Sequence, residues 1–198
     1  RIYTINWLFF VELSNLNIKN GLCLSLGANI DSKFGSPINT IINAKFKVEQ
    51  IIKSFILKEQ KNQLLLNQNK KYLFWSSLYK SHPHGIIEFQ PDYINTLLLV
   101  KTEAFPISSV ENAKFLLQEF KTLEKEFGRD KSNLKERWQP RCLDIDIVWW
   151  DNLNFEDDIL TIPHPRFMNR NFVILPLSEI LSRFQRIEKL NIEKWDSK

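Results

Sequence analysis

The sequence predicts a single α+β domain in which helices pack on a mostly antiparallel sheet, and three observations lead there. The chain has 198 residues, 43% of them hydrophobic and 25% charged, which suits one sizeable core and would be cramped for two. Segments with strand-like and helix-like patterns interleave without a repeat or an internal linker. Aromatic residues make up 13%, including six Trp, and supply the large apolar groups that offset ordering entropy.

The elements follow in order. Residues 1–20 carry the apolar run Ile5, Trp7, Leu8, Phe9, Phe10 and Val11, broken by Glu12. The run is too short to span a bilayer and lacks a small-residue cleavage site, so it is expected to be an extension outside the functional unit. Leu22, Leu24 and Leu26 alternate with Cys23 and Ser25 and stop at Gly27, which predicts a first strand and then a turn. Ser36 and Pro37 open a helix as cap and first residue, and Ile38, Ile41, Ile42, Val48, Ile51, Ile52 and Phe55 continue it. Residues 57–71 are rich in Lys, Asn and Gln and read as a solvated loop or helix extension.

Residues 73–79 and 93–100 read as strands joined by a loop with Pro83, Gly85 and Pro91. The run Ser108-Ser109-Val110-Glu111 predicts a capping-box start, followed by Phe115, Leu116, Phe120, Leu123 and Phe127, with Gly128 as the stop. Residues 143–150 predict another strand, and a short helix is expected after Pro176 through Ile180 and Leu181. The functional domain is thereby bounded at 21–185, with 186–198 as a tail.

Composition removes several function classes. With five Gly, at 21, 27, 35, 85 and 128, neither a dinucleotide-binding G-x-G-x-x-G nor a phosphate-binding G-x-x-x-x-G-K-[ST] loop can be written. Cys23 and Cys142 stand far apart with no C-x-x-C, so neither a zinc site nor a disulfide framework is visible, and reduced thiols in the cytoplasm are expected. The net charge of +4 and pI near 9.0 do not by themselves indicate a nucleic-acid partner. Distribution is more informative, because Arg129, Arg137, Arg141, Arg166 and Arg170 fall in one stretch, and planar guanidiniums suit phosphate or carboxylate oxygens.

The sharpest motif is Arg141-Cys142-Leu143-Asp144-Ile145-Asp146-Ile147-Val148. In a strand, Asp144 and Asp146 share a face about 6.6 Å apart, with Leu143, Ile145 and Ile147 on the other. Neighbouring carboxylates repel, so arginines, a shared proton or divalent cations must compensate. A surface salt-bridge network is the bland alternative. The basic stretch Arg137-Trp138-Gln139-Pro140-Arg141 leads directly into the acids, a juxtaposition that suits magnesium with a nucleoside triphosphate. His164 lies between Pro163 and Pro165 in a stiff loop with Arg166, followed by Arg170 and Phe172. Tyr93 and Asn95 alternate onto one face, where a ring and a carboxamide suit a flat heterocycle. Phe172 by itself reads as core, and His82 and His84 as loop residues.

Taken in order, Leu24-Ser25-Leu26-Gly27-Ala28-Asn29, Tyr79-Lys80-Ser81, Asp92-Tyr93-Ile94-Asn95, Glu124 with Gly128-Arg129, the 137–141 segment, Asp144-Ile145-Asp146 and Pro163-His164 to Phe172 resemble the 6-hydroxymethyl-7,8-dihydropterin pyrophosphokinases of folate biosynthesis. The resemblance covers residues 21–183. It implies a ferredoxin-like sandwich and transfer of diphosphate from ATP to the pterin hydroxymethyl group, releasing AMP. It also implies two magnesium ions on Asp144 and Asp146 and catalytic roles for Arg129, Arg141 and both acids. Glu124, Arg137, Trp138, His164 and Arg170 are implied for ATP, and Ser81, His84, Tyr93, Asn95 and Phe172 for the pterin. The chain departs from the family pattern at Lys131, Gln139 and His82, in the 57–71 stretch, and in a longer 129–137 loop. A monomer without nucleic-acid or membrane partners is expected. The alternative is a single-stranded nucleic-acid binder on the same kind of sheet, which leaves the paired acids unexplained.

Overall fold

The computed structural model describes residues 21–59, 72–83, 90–101, 108–129 and 139–195. The proposed extension 1–20, most of the 57–71 stretch, Lys131 and the end of the tail lie outside them. Within them the order is β1 (Gly21–Ala28), α1 (Pro37–Glu59), β2 (Leu73–Trp75), β3 (Tyr79–Ser81), β4 (Tyr93–Lys101), α2 (Val110–Glu126), β5 (Asp144–Trp150), β6 (Phe155–Glu156), β7 (Thr161–Ile162) and α3 (Asn171–Trp195). The main sheet runs β2-β4-β1-β5, with β3 also on β4, and every pairing is antiparallel. Because β2 and β3 share one edge, the connectivity is β-α-β-β-α-β, the ferredoxin-like arrangement.

One sheet face is a closed core. Leu22, Leu24 and Leu26 of β1, Leu98 and Val100 of β4, and Ile145, Ile147 and Trp150 of β5 pack against α1 and α2 through Ile41, Val48, Ile52, Leu116 and Phe120. Each fully buried side chain of this kind contributes roughly 1.5–3 kcal/mol. The opposite face is only half covered: Cys23, Leu97, Leu99, Val148 and Trp149 meet Val173, Leu177, Ile180 and Leu181 of α3. Among the described residues no helix is long and apolar enough to cross a membrane.

Several expectations are corrected. Gly27 does not end the first strand; it lies inside β1, opposite Asn95 on one side and Asp144 on the other. The expected strand over 73–79 is two strands, because Trp75 faces Leu98 and Tyr79 faces Asn95, so residues 76–78 stand against residues 96–97. The extra residue makes a bulge in which Ser76 bonds Leu97 through its own N–H (2.9 Å) and accepts the Leu97 N–H at its hydroxyl (3.0 Å). The cap of α2 is Ser109, which accepts from Asn112, so the Ser108–Glu111 capping box does not form. The last helix begins before Pro176 and contains it. A proline in the second helical turn forfeits one bond to the residue four back, while the packing of Val173, Leu177, Ile180 and Leu181 holds the helix together. The β6–β7 ribbon was not expected at all.

That ribbon is tied to α2 through Asp157, which accepts the Ile159 and Leu160 N–H groups (2.9 and 2.8 Å) and pairs with Lys114 at 2.6 Å. Lys114 first, and then the two backbone donors, lower its carboxyl to about 2. A depressed carboxylate stabilises the fold above its unfolded value and loses that contribution as pH falls through the folded one. The melting temperature of Asp157→Asn is therefore expected to lie below that of the native chain at pH 6, with the gap closing as pH falls toward about 2. A gap independent of pH contradicts this.

Candidate active site

The uncovered half of the second sheet face is polar. Along that face β1 reads Gly27, Ser25 and then Cys23; β4 reads Tyr93, Asn95 and then Leu97; β5 reads Asp144, Asp146 and then Val148. The switch from polar to apolar occurs where α3 begins to cover the sheet. The polar half floors a cleft of about 450 Å³, walled by Ser81, His82, Pro83, Gln90, Arg141, His164, Arg166, Arg170 and Phe172.

Asp144 and Asp146 both face this cleft, as the alternation predicts. Asp144 accepts from Arg129 at 2.7 Å and from Arg141 at 2.5 Å, one at each carboxylate oxygen, and Asp146 accepts from Arg170 at 3.2 Å. Burial is the largest influence on Asp144 and favours its neutral form, yet Arg141 and Arg129 outweigh it and hold the carboxyl below the ordinary range. Burial pushes Asp146 up, the Asp144 charge pushes it further, and His164 and Arg170 oppose them. The two like charges thus have unequal environments, and the arginines partly compensate both.

The arginines are placed by backbone devices. At the end of α2, Gly128 at φ +104° lets its own N–H reach the Lys125 carbonyl and the Arg129 N–H reach the Glu124 carbonyl. This pair of bonds is the Schellman stop, and a positive φ at that point favours glycine. It turns the Arg129 guanidinium back between Glu124 (2.5 Å) and Asp144 (2.7 Å). Arg141 is fixed through its backbone, since its N–H donates to the Asn29 carboxamide (2.7 Å) and its carbonyl accepts from the Asn29 N–H (3.0 Å).

His164 is anchored by its N–H to the Val148 carbonyl at 2.7 Å. Val148 is the extra residue of a bulge, since Leu24 faces Ile147 while Cys23 faces Trp149. The Arg166 N–H donates to Nδ1 of His164 at 3.2 Å, so the neutral ring carries its proton on Nε2. Burial, aided by Arg170 and Arg166, lowers its pKa against the pull of Asp146 and favours that neutral form.

At the other end, Asn95 is 3% exposed and donates to the Ser81 hydroxyl at 2.9 Å. Tyr93 and Phe172 supply aromatic surface, and the Arg170 guanidinium lies 5.3 Å from the Phe172 ring centre. Phe172 therefore lines the cleft and also packs against the smaller core.

Of the residues expected in the site, Ser81, Tyr93, Asn95, Arg141, Asp144, Asp146, His164, Arg170 and Phe172 come together around the cleft. His84, Arg137 and Trp138 lie outside the described residues. Glu124 and Arg129 stand at the foot of the acidic strand. Glu124, expected on the nucleotide, is 1% exposed beneath the acidic strand, where it accepts from Lys121 (2.7 Å), Arg129 (2.5 Å) and the Ile145 N–H (2.8 Å). Arg129, expected on the phosphates, pairs with the carboxylates of both Glu124 and Asp144.

Sequence reasoning assigned no site role to Ser25, Gly27, Asn29, Gln90 or His82, and it named Arg166 only among the guanidiniums suited to an anion. Asn29 joins Arg141 to the Pro91 carbonyl (3.3 Å) and so ties two loop ends together. The available signal for Gly27 was a glycine inside an alternating strand, which marks a close approach. A Cβ there would stand 3.1 Å from the Asn95 carboxamide oxygen. Gly27→Val is expected to displace Asn95 and weaken ring binding by about tenfold or more with little change in melting temperature, a fold-change readable as KM. An unchanged KM contradicts a role for Gly27 in the floor of the cleft.

Fold and site together define an α+β sandwich whose open half-sheet presents two acids, a set of arginines and an aromatic wall to a cleft of about 450 Å³. A family model described as 7,8-dihydro-6-hydroxymethylpterin-pyrophosphokinase matches residues 23–182, and the chain belongs to that family. It is 42% identical over 107 residues to the 2-amino-4-hydroxy-6-hydroxymethyldihydropteridine pyrophosphokinase of Haemophilus influenzae, covering 54% of this chain and 60% of that protein. It is 36% identical over 114 residues to the protein of the same name from Bacillus subtilis, covering 58% and 60%. The folic acid synthesis protein fol1 of Schizosaccharomyces pombe is 32% identical over 154 residues, covering 78% of this chain and 17% of that protein. The chain thus spans less than two thirds of the length of these relatives.

Proposed function

We propose that the chain transfers an intact diphosphate from ATP to the hydroxymethyl oxygen of 6-hydroxymethyl-7,8-dihydropterin, releasing AMP, in folate biosynthesis. The observation that carries this reading is the cleft itself, which unites the paired acids, the arginines and the ring-binding set on one half-sheet of a family member. In this reaction the hydroxyl oxygen forms a bond to the β-phosphorus, the bond from that phosphorus to the α,β-bridging oxygen breaks, and the hydroxyl proton is lost.

Asp144 and Asp146 would hold magnesium. The fit is chemical: two carboxylates on one strand face offer hard oxygen donors, and phosphate and water complete such a cation's shell. Magnesium, when bound, neutralises polyphosphate charge and orients the phosphoryl group. Arg141 and Arg170 present guanidinium forks toward the triphosphate, Arg166 adds a further charge at the rim, and His164 donates from Nε2. Tyr93 and Phe172 flank the pterin ring, while Asn95 and Ser81 meet its polar edge. Transfer of this kind depends on positioning and charge neutralisation, so it needs no covalent nucleophile. A monomeric, cytoplasmic enzyme is the accompanying expectation.

Incubation with ATP, magnesium and the hydroxymethyl dihydropterin is expected to yield AMP and the pterin diphosphate, with loss of product on chelation. ADP alone, or no product, refutes the assignment. The nucleic-acid reading requires salt-dependent oligonucleotide binding without magnesium, and nothing in the comparisons favours it.

A further inference from the structure

Beyond the cleft, one polar cluster is not used by the chemistry described above. Glu179 projects from α3 toward the break between β2 and β3, with its side chain 20% exposed. One carboxylate oxygen accepts the Ser77 N–H (2.9 Å) and the Tyr79 hydroxyl (3.0 Å). The other accepts the Ser77 hydroxyl at 2.9 Å and is paired with Arg183. Arg183, one helical turn along, also donates to the Trp75 carbonyl at 3.0 Å. The two side chains therefore grip the bulge at its entry and in its middle.

The bulge decides which way β3 points. Phe74 faces α3, so unbroken alternation would put residues 76, 78 and 80 on the cleft side and turn Ser81 to the opposite face. The extra residue reverses the phase, placing Tyr79 opposite Asn95 and Ser81 opposite Tyr93. Ser81 thereby meets the Asn95 carboxamide at 2.9 Å. β3 is a three-residue edge strand paired to β4 alone, so its ladder holds register weakly. The Ser77 N–H, exposed and removed from the ladder by the bulge, is fixed by donating to Glu179.

We propose that Glu179 is a positioning residue for the substrate ring, setting the phase of β3 so that Ser81 and the start of the following loop stand over the ring-binding half of the cleft. The inference deepens the pterin reading of that site and rests on it. The bonds of Glu179 and Arg183 go to Trp75, Ser77, Tyr79 and each other, away from the ATP half on β5 and the 164–170 segment, so the effect is expected to be selective.

The test compares Glu179→Gln and Tyr79→Phe with the native chain. Gln has nearly the same size but puts a donor where one carboxylate oxygen accepted, and Phe removes one of the donors. Glu179→Gln is expected to raise KM for the pterin at saturating ATP by about tenfold, with kcat within about threefold. The Kd for magnesium–ATP, measured without pterin, is expected to stay within about twofold. Should Glu179→Gln fail to fold, Tyr79→Phe decides, with an expected rise in pterin KM of about threefold and unaltered ATP binding. Equal weakening of both ligands, or an unmoved pterin KM in the variant that folds, overturns the assignment. A native chain that fails to turn over the pterin instead refutes the functional reading on which it depends.

Discussion

Asp144→Ala and Asp146→Ala are each expected to lower AMP formation by about 10²–10³-fold, the scale seen when a preorganised charge-stabilising group is removed from a reacting centre. Both acids face the cleft beside three arginines, and neither supports the closed core. Their side chains are 20% and 33% exposed. In Asp144→Ala, Arg129 keeps Glu124 as a partner, and Arg141, which loses its carboxylate, is 31% exposed and regains water. In Asp146→Ala, Arg170 keeps its place over the Phe172 ring. The melting temperature is therefore expected to move little while turnover collapses. Circular dichroism melts beside an AMP release assay check both halves, and near-native turnover in either variant removes that acid from the cation-holding role.

The largest stability effect is expected from Glu124→Ala, about 3 kcal/mol, the lower end of what breaking a buried ion pair costs. Glu124 is 1% exposed and serves three donors, so its loss leaves Lys121 and the Ile145 N–H without this acceptor and Arg129 with Asp144 alone. The lower end applies for two reasons. Burial already pushes the Glu124 carboxyl up, so the native charge is held at a cost. Arg129 and Lys121 are also 23% and 30% exposed and regain water. For a chain of this size about 3 kcal/mol corresponds to a fall in melting temperature of roughly 10 °C. Urea unfolding measures it, and a loss below about 1 kcal/mol contradicts the buried-network account. Because Glu124 acts through Arg129 and the first residues of β5, the Glu124→Ala protein that remains folded is also expected to lose activity.

Much of the site was legible because strand chemistry is local. Asp144 with Asp146, and Tyr93 with Asn95, each stand two residues apart, and a period of two assigns both members to one face whatever the rest of the fold does. The punctuation of α1 and the stop of α2 were equally readable, since Pro37 and Gly128 act through their own backbone angles. The shift of the α2 cap from Ser108 to Ser109 shows the limit: adjacent serines offer the same hydroxyl, and which one closes the turn depends on how the chain enters the helix.

The roles of Gly27, Glu124 and Arg129 were not legible, for a different reason. Gly27 matters because Asn95 and Asp144 flank it, partners 68 and 117 residues away whose register comes from pairing across the sheet. Glu124 is buried because β5 covers it, and its Ile145 partner lies 21 residues away. The two bulges, at residues 76–78 and at Val148, are excess residues relative to a partner strand and have no meaning within one strand alone.

The order of the long strands and helices, the alternating faces and the residue types suited to phosphate and ring chemistry were thus set by the sequence itself, because they depend on side-chain type and short spacing. Which half of the second sheet face stays open, which arginine reaches the cleft and which is held by carboxylates, and which way Ser81 points were decided only in the tertiary structure. Those outcomes depend on the placement of α3 and on strand register, which arise from the balance of many distant contacts and leave no local pattern to read.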